Sequence, residues 1–507
     1  MRKALPLMIQ GTGSDAGKSV LVTAFCRIFS QKGYKTAPFK SQNMALNSYV
    51  TIDGKEIGRA QGVQAEAARI PASTDMNPIL IKPTREQESQ IVVHGEPYGN
   101  MKATAYRSDF FPIGLQVIRE AYERLSGTYE RIVIEGAGSP AEINLNDREL
   151  VNMRVARMAN APVILVADIE RGGVFASLVG TLQLLAPQDR ERVIGVIINR
   201  FRGDLGLLAP GLDWFEEYTG KPVLGVIPFL PELMIDAEDS LILHKYKART
   251  TEVTAIDIAV IRYPYISNFT DADPFFVEPD CHVRFVNRQD ELGTPDLIIL
   301  PGSKNTIEDL LYLRQTGLES EILHLHRAER VSVIGICGGY QMLGARIMDP
   351  DGVESPLREI AGMGLTPVHT TLLPKKTTVL SRGQAYFAGE QVEVEGYEIH
   401  MGQSVCKAVA TPFITLADRT EGIYAADGRL LGTYFHGIFH NDDFRTRLLN
   451  TLRAAKGLAP LTERPSFVRM REQGFDMLAE QVSKHVRLDL IEEQMETFYR
   501  STKGANR

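Results

Sequence analysis

The sequence predicts an α/β protein built from two doubly wound, mostly parallel sheets and a helical C-terminal tail. Short runs of valine, isoleucine and leucine alternate with segments of helical periodicity along most of the 507 residues. Strands of parallel sheets are buried on both faces and have this continuous apolar composition. Glycine-rich and polar motifs directly follow several of the runs, at the strand ends where open α/β sheets bind their ligands.

The first half of the chain contains a series of strand-like apolar runs, at residues 5–9, 36–39, 131–134, 162–166, 193–198 and 222–226. Their alternation with helical patterns predicts one doubly wound domain over residues 1–236. The composition then turns polar, and this change marks residues 237–252 as the linker.

A second series of apolar runs predicts a second domain over residues 253–445. The runs lie at residues 256–261, 296–300 and 331–336, and the series ends near Phe435. The remaining residues, 446–507, form a charged helical tail. Near-helical spacing there predicts an apolar face that packs on the second domain or on a partner; its residues are Leu478, Val482, Val486 and Leu490.

A phosphate-binding loop follows the first apolar run. Glycines allow backbone amides to curl around phosphate oxygens, Lys18 adds a mobile positive charge, and the Ser19 hydroxyl is a ligand for Mg²⁺. The alternative, a chance glycine-rich turn, is disfavoured because strand, loop, lysine, hydroxyl and a following amphipathic run agree. The predicted ATP-binding residues of the loop are Gly11, Thr12, Gly13, Ser14, Asp15, Ala16, Gly17, Lys18 and Ser19.

The spacing of this loop is one residue longer than the usual Gly-x-x-x-x-Gly-Lys pattern. In this it resembles dethiobiotin synthetase and its relatives, which use ATP to activate a carboxylate. The resemblance implies that Glu135, which ends another apolar run, binds Mg²⁺ together with Ser19. It also implies that Lys40 contacts phosphate and substrate and that Asn199 contacts adenine, although ordinary strand-end polar residues explain Lys40 and Asn199 equally well.

The second Mg²⁺ ligand stays open. The resembled enzymes place an aspartate after their second strand, and this chain has no clear counterpart. Asp53 and Glu66 are the two acidic residues that we consider for this role.

A nucleophile elbow is predicted at Cys337, where the apolar residues 332–336 run into a Gly-x-Cys-x-Gly turn. Small neighbours at Gly335 and Gly339 leave room for attack on a carbonyl, and a helix N-terminus favours a thiolate. A free cysteine after an apolar run is more often a small buried hydrophobe. His436, which ends another apolar run about a hundred residues later, shifts the balance toward a cysteine nucleophile with a histidine base.

Residues 337–341, Cys-Gly-Gly-Tyr-Gln, resemble the elbow of class I glutamine amidotransferases. Those enzymes release ammonia from glutamine through a glutamyl thioester. The resemblance implies an oxyanion and glutamine site formed by Gly302, Gly338 and Gln341.

The resembled family usually has a glutamate two residues after the histidine to orient the ring, but Ile438 stands at that position. His436 is then oriented by another group, or it transfers protons more slowly. Glu398 and His400 are nearby candidates for the supporting role, although a solvated strand edge explains both residues equally well.

A carboxylate activator and an ammonia source on one chain narrow the reaction to amide synthesis from a carboxylic acid. This domain order resembles the corrin-ring amidases of cobalamin synthesis. The resemblance implies amidation of the b, d, e and g carboxylates of adenosylcobyrinic acid a,c-diamide, with one glutamine and one ATP for each. Segments typical of these amidases lie at residues 40–47, 75–78, 169–176, 199–204 and 262–271.

Two alternatives remain at the level of the sequence. The a,c-diamide synthase of the same pathway shares both halves and differs mainly in which carboxylates it activates. A Walker-type ATPase switch with an inactive second module belongs to a different class. Such switches carry a second lysine early in the loop. Gly13 stands at that position here, which argues against this alternative.

Composition excludes several other classes. A net charge of −7 and short basic runs argue against nucleic acid as the partner. Four scattered cysteines favour neither a disulfide framework nor a Cys-x-x-Cys metal site, which fits a reducing cytoplasm. We find no secretory signal and no apolar stretch near the roughly 20 residues that span a bilayer. Glutamine and the corrin are the predicted partners, and homo-oligomer formation is left open.

Overall fold

A computed structural model of the chain describes residues 3–85, 87–230, 255–425 and 428–505. The predicted linker, residues 237–252, lies outside this part of the chain. No helix in the described ranges is long and apolar enough to cross a membrane.

The first sheet confirms the predicted strands of the first domain. It contains β1 (Leu5–Gly11), β2 (Thr36–Phe39), β9 (Arg131–Glu135), β10 (Val163–Asp168), β11 (Val193–Phe201) and β12 (Val223–Pro228). The strand order is β12-β11-β10-β1-β9-β2, and every neighbouring pair is parallel. All carboxyl ends therefore meet at one edge, where the glycine-rich loop, Lys40, Glu135 and Asn199 lie.

Helices cover both faces of this sheet. Side chains alternate across β1, so that Met8 enters one apolar core while Leu7 and Ile9 enter the other, as expected for a doubly wound fold. The helices of this part are α1 (Lys18–Gln31), α2 (Arg59–Ala67), α3 (Ala103–Ala105), α4 (Phe111–Thr128), α5 (Met153–Ala159), α6 (Val174–Leu184), α7 (Pro187–Arg192) and α8 (Leu205–Thr219).

A small β insertion between β2 and α4 was not anticipated from the sequence. Its strands are β3 (Gln42–Met44), β4 (Ser48–Val50), β5 (Glu56–Gly58), β6 (Ile79–Arg85), β7 (Glu88–Val93) and β8 (Glu96–Lys102). They form a four-stranded sheet of order β3-β6-β7-β8 and a β4–β5 hairpin. Several of these strands are only three residues long, too short for a periodic signal.

The second sheet confirms the second predicted series and is mostly parallel. It contains β13 (Ile256–Ile261), β15 (Cys281–Val286), β16 (Leu297–Leu300), β18 (Ser332–Ile336), β25 (Ile423–Ala425) and β26 (Leu430–Thr433). Their order is β15-β13-β16-β18-β26-β25, and only the β25–β26 pair is antiparallel among these strands.

A second, mainly antiparallel sheet packs beside it and is dominated by one long ribbon of β21 (Val368–Phe387) and β22 (Glu390–Cys406). Its other strands are β19 (Arg346–Met348), β20 (Glu359–Ala361), β23 (Ile414–Leu416), β24 (Thr420–Glu421) and β27 (Phe435–His436). The short strands β14 (Ile266–Ser267) and β17 (Gly302–Ser303) form a separate antiparallel pair. The helices are α9 (Gln289–Leu292), α10 (Thr306–Gln315), α11 (Leu318–Arg327), α12 (Gly338–Leu343) and α13 (Asp442–Ala455).

The C-terminal tail ends in α14 (Phe467–His485) and α15 (Leu488–Ala505). Its apolar face was expected to pack on the second domain or on a partner, and it packs on the first domain instead. Leu478 and Val482 belong to the core of the first domain together with Phe25, and Val486 pairs with Gly225 beside β12. Helical spacing reveals an apolar face but not the surface that covers it.

Candidate active site

Cys337 occupies a strained turn between β18 and α12. Its φ of 53° and ψ of −108° lie where L-residues are rarely found, and such strain is typical of nucleophile elbows. The glycines beside it are sterically required. A Cβ on Gly339 would lie 1.9 Å from the Leu300 carbonyl oxygen, and one on Gly335 would lie 2.7 Å from the Gly339 backbone.

His436 faces this cysteine from β27, the strand that follows β26. Its ring is fully buried, and its Nδ1 lies 2.7 Å from Oδ2 of Asp271. The other carboxylate oxygen accepts a 2.7 Å hydrogen bond from the Gly437 amide. Burial opposes the charged imidazolium, but Asp271, with a smaller contribution from Cys337, raises the pKa of His436 to about 10.

Asp271 therefore takes the position that the missing glutamate at Ile438 left open. This role was not predicted from the sequence, because Asp271 lies 165 residues before His436 in the chain. Glu398 and His400, the residues considered instead, lie on β22, the strand that pairs with β27, but they bond other groups. His400 Nδ1 lies 2.7 Å from the Gly402 carbonyl oxygen. Glu398 accepts hydrogen bonds from Ser381 and Arg419.

The glycines predicted for the oxyanion site lie close to the cysteine and its base. A Cβ on Gly302 would come within 3.2 Å of His436 Cε1, and one on Gly338 within 2.7 Å of the Ser303 amide nitrogen. Gly338 is also the first residue of α12, so that its amide is one of the unpaired donors at the helix N-terminus. This is the kind of donor that stabilises a developing oxyanion.

A cavity of about 40 Å³ opens beside Cys337. Gln341 lines it, with its Oε1 accepting a 3.0 Å hydrogen bond from Thr306 and its Nε2 donating a 3.2 Å hydrogen bond to Tyr434. Most of the wall comes from the second domain, and Lys82 comes from the first. The lining residues are Lys82, Ser267, Asn268, Ser303, Lys304, Thr306, Cys337, Gln341, Glu354, Lys376, Ile399, His400 and Met401.

The glycine-rich loop folds as a phosphate-binding loop between β1 and α1. Lys18 Nζ donates hydrogen bonds to the carbonyl oxygens of Gly13, at 2.9 Å, and Gly138, at 3.2 Å. Asn199 Nδ2 donates a 3.0 Å bond to the Ala16 carbonyl. Gly17 has φ 99°, and a Cβ there would lie 2.0 Å from Asn199 Nδ2. Asn199 thus holds the loop itself, and its contact with adenine stays a prediction.

Glu135 is the centre of a buried cluster at the same sheet edge. Its Oε1 accepts hydrogen bonds from Ser19, at 2.9 Å, and from Lys40, at 2.7 Å. Its Oε2 accepts a 2.5 Å bond from Gln64 on α2. Gln64 was not predicted as a site residue. The feature that marks it is the burial of a polar glutamine in a helix whose residues are nearly all buried.

The hydroxyl of Ser19 and the carboxylate of Glu135 are oxygen donors of the kind that Mg²⁺ prefers, and they fit a site completed by phosphate oxygens. The two residues considered as a second acidic ligand pair with other groups. Asp53 bonds Thr51, and Glu66 pairs with Arg471 at 2.7 Å. Within the described ranges, no group of three or more His, Cys, Asp or Glu side chains could hold a metal ion.

Comparison with known proteins agrees with this two-part arrangement. A family described as "CobQ/CobB/MinD/ParA nucleotide binding domain" matches residues 7–242, and one described as "CobB/CobQ-like glutamine amidotransferase domain" matches residues 257–444. Cobyric acid synthase of Geobacillus sp. (strain WCH70) is 66% identical over 500 residues, covering 99% of both chains. The protein of the same name from Anoxybacillus flavithermus is 63% identical, with 99% of both chains covered. That from Desulforamulus reducens is 49% identical over 98% of this chain and 99% of its own. The chain belongs to the cobyric acid synthase family.

Proposed function

We propose that this protein is a glutamine- and ATP-dependent amidoligase of cobalamin synthesis. It amidates the b, d, e and g carboxylates of adenosylcobyrinic acid a,c-diamide and yields adenosylcobyric acid. One observation carries this proposal: Lys82, of the domain that holds the phosphate-binding loop, lines the cavity beside Cys337. A cavity lined by both domains fits an ammonia source that serves a carboxylate activator.

The glutaminase half uses Cys337, His436 and Asp271. The Cys337 sulfur attacks the side-chain amide carbon of glutamine, while the Gly338 amide and the Gly302 segment stabilise the oxyanion, by roughly 2.7–4 kcal/mol for one such donor. His436 gives its proton to the departing nitrogen, which leaves as NH3 when the C–N bond breaks. Water, deprotonated by the now neutral His436, then hydrolyses the thioester and releases glutamate.

Two charged residues of the cavity suit the ends of the substrate. Glutamine carries an α-carboxylate and an α-ammonium group, and Lys304 and Glu354 supply one basic and one acidic side chain beside Cys337. Burial raises the pKa of Glu354 to about 7, so this carboxyl is only partly ionised near neutral pH. Gln341 has a structural role in the site, because its hydrogen bonds to Thr306 and Tyr434 hold the cavity wall in place.

The synthetase half binds ATP at residues 11–19, and Ser19 and Glu135 would hold Mg²⁺. When bound, the ion offsets the charge of the transferring phosphoryl group. Lys18 and Lys40 supply positive charge at the same edge of the sheet. A corrin carboxylate oxygen attacks the γ-phosphorus and ADP leaves; NH3 then attacks the acyl carbon, phosphate leaves, and the nitrogen loses a proton.

The two alternatives are weaker. Relatives up to 66% identical over nearly the whole chain carry the name cobyric acid synthase, which argues against the a,c-diamide synthase. An inactive second module would have no need of the buried Asp271–His436 pair. Residues 1–236, 253–445 and 446–507 remain our proposed division into domains and tail. Mg²⁺ dependence, a cytoplasmic location and a homo-oligomer also remain proposals.

The test is mass spectrometry of the corrin after incubation with ATP, Mg²⁺ and glutamine. We expect four successive acid-to-amide mass changes. Cys337→Ala should abolish them with glutamine and keep them with ammonium salts, because only the ammonia source is lost. An unchanged corrin with continued ATP hydrolysis in the wild-type protein would refute the assignment, and loss of both nitrogen sources in Cys337→Ala would refute the division of labour.

A further inference from the structure

One arginine reaches the phosphate-binding loop from a different part of the first domain. Arg171 lies in the turn between β10 and α6, and its Nη2 donates a 3.1 Å hydrogen bond to Oδ2 of Asp15 in the loop. The side chains of this pair are 59% and 39% exposed. The proposed function assigns no role to this cation, although it touches the residues that bind ATP.

The order of the strands places Arg171 across the loop from the two lysines. The loop follows β1, whose neighbours in the sheet are β9 on one side and β10 on the other. Lys18 bonds the carbonyl of Gly138, three residues after β9. Lys40 pairs with Glu135, the last residue of β9. Arg171 follows β10, so positive charge is available on both sides of the loop.

The ion pairs of Arg171 are of a kind that is easily exchanged. Its second acid is Asp168, which lies 3.7 Å from Nε and which already pairs with Arg200 at 2.7 Å. Exposed pairs of arginine and carboxylate contribute little to stability, because water solvates both partners. An anion of higher charge that enters the loop can therefore take the guanidinium from Asp15.

The backbone after Arg171 leaves room for the side chain to change partner. Gly172 and Gly173, the next two residues, have φ of 77° and 66°, in the left-handed region that glycine adopts without strain. A Cβ added to either glycine would meet no atom of the described chain within 4 Å. The two residues that join Arg171 to α6 are therefore not held by tight packing.

The chemistry of the ligand favours the exchange. The triphosphate of ATP is a multivalent anion, and the amides of a phosphate-binding loop hold it against the loop. The carboxylate of Asp15 repels such a ligand, whereas the guanidinium of Arg171 can donate paired hydrogen bonds to phosphate oxygens. Without the nucleotide, the two side chains neutralise each other. With the nucleotide, the arginine gains a more highly charged partner than the carboxylate.

We propose that Arg171 binds the triphosphate of ATP, and that Asp15 holds the arginine only until the nucleotide enters. Arg171 is then a catalytic residue of the synthetase half. It offsets phosphate charge from the β10 side of the loop, as Lys18 and Lys40 do from the β9 side. This inference rests on the proposed function, which assigns ATP to residues 11–19.

The test compares Arg171→Met with Asp15→Asn, since each variant removes one partner of the same ion pair. A pair that only stabilises the loop predicts the same direction of change for both variants. The inference predicts opposite directions, because the first variant loses a ligand of ATP and the second frees one. Arg346→Met is the matched control, since Arg346 pairs with Glu359 at 3.0 Å on the surface of the second domain.

The measurement is calorimetry of ATP and of AMP binding with Mg²⁺, together with glutamate release. We expect Arg171→Met to weaken ATP binding by about ten-fold or more, as the loss of a hydrogen bond to a charged group does. AMP binding should change much less, because AMP lacks the β- and γ-phosphates. Asp15→Asn should tighten ATP binding by about three-fold. Arg171→Lys should keep part of the ATP affinity. Arg346→Met should match the wild type, and glutamate release should be unchanged throughout.

A wild-type dissociation constant for ATP in Arg171→Met would overturn the inference. Weaker ATP binding in both variants would also overturn it, since the pair would then be a structural contact. Equal losses for ATP and AMP would place Arg171 away from the β- and γ-phosphates, with the same consequence. An unchanged constant in Asp15→Asn would overturn the statement that Asp15 competes for the arginine. A wild-type protein that binds ATP but leaves the corrin unchanged would instead refute the proposed function.

Discussion

The carboxylate of Asp271 lies 2.7 Å from Nδ1 of His436. Because Nδ1 donates to this carboxylate, the tautomer is fixed and Nε2 is the nitrogen presented to Cys337. The second oxygen of Asp271 holds the Gly437 amide at 2.7 Å, so the aspartate fixes both the ring and the backbone that carries it. The geometry is that of a cysteine–histidine–aspartate triad.

Asp271→Asn should lower glutaminase activity by about 10²-fold or more, since the neutral amide neither stabilises the imidazolium nor fixes its tautomer. The pKa of His436 should fall from about 10. Glutamate release and a pH profile measure this, and amidation from ammonium salts should be retained. Asp290→Asn is the control and should have little effect, because the Asp290 side chain is 65% exposed. Full glutaminase activity in Asp271→Asn would mean that another group orients the base.

The meeting of Lys40 with Glu135 was predictable from the sequence. Both residues follow apolar runs that become neighbouring parallel strands, and the carboxyl ends of such strands lie at one edge. The elbow at Cys337 was also predictable, because its glycines report a local steric requirement. These inferences need only short segments of sequence and the rules of parallel sheets.

Contacts between distant segments were not predictable in this way. Asp271 ends the segment 262–271 that is typical of the resembled amidases, but nothing in that segment points to His436. Lys82 and Lys376 meet only because the ribbon of the second domain reaches the first domain. Single-sequence reasoning also misplaced the tail, since the spacing of Leu478 and Val482 is the same whichever core they enter.

Glu135→Gln should lower the rate of amidation by about 10²-fold or more, with glutamine and with ammonium salts alike. The substitution removes the charge that Lys40 and Ser19 share and replaces one acceptor by an amide. Glutamate release should persist, because Cys337 lies in the other domain. Lys35→Met, at an exposed position just before β2, is the control for altered charge. The measurement is the amidation rate with each nitrogen source. Normal amidation in Glu135→Gln would show that this residue does not act in the ATP site.

Arg27 of the first domain forms ion pairs with two acidic residues of the tail, and the arginine is buried whereas the acids are partly exposed. Its side chain is fully buried and lies 2.8 Å from both Glu472 and Asp476, whose side chains are 46% and 49% exposed. Removing the arginine leaves two acids that water can solvate, whereas removing both acids leaves a buried, unpaired guanidinium. The two changes should therefore differ in cost although they break the same contacts.

We expect Arg27→Met to destabilise the docked tail by about 1–2 kcal/mol, and the double variant Glu472→Ala with Asp476→Ala to destabilise it by about 3–5 kcal/mol. Hydrogen exchange of α14 measures the local loss. Glu480→Ala, which breaks an exposed pair with Lys484 on the same helix, should cost under about 1 kcal/mol. Equal losses from the first two variants would show that solvation of the remaining partner does not decide the cost.

Glu421 supports the strand that carries His436. Its buried carboxylate accepts hydrogen bonds from Thr433 Oγ1 at 2.7 Å and from the Tyr434 amide at 2.5 Å. Burial raises the pKa of Glu421 to about 7 from its ordinary 4.5, against the effect of those two donors. Between pH 4.5 and about 7, the folded protein holds a proton on Glu421 that the unfolded chain has released. The contribution of this group to stability is therefore full below pH 4.5 and is lost as the pH rises to about 7.

Glu421→Gln, which is neutral at every pH, should remove this dependence. Relative to the variant, the wild-type protein should lose about 1–3 kcal/mol of stability as the pH is raised through the window. Thermal unfolding of both proteins at several pH values measures the difference. Glu395→Gln is the control, because the Glu395 side chain is 69% exposed and its charge is solvated in both states. A constant difference between wild type and Glu421→Gln would mean that the carboxyl stays ionised throughout, held by Thr433 and Tyr434.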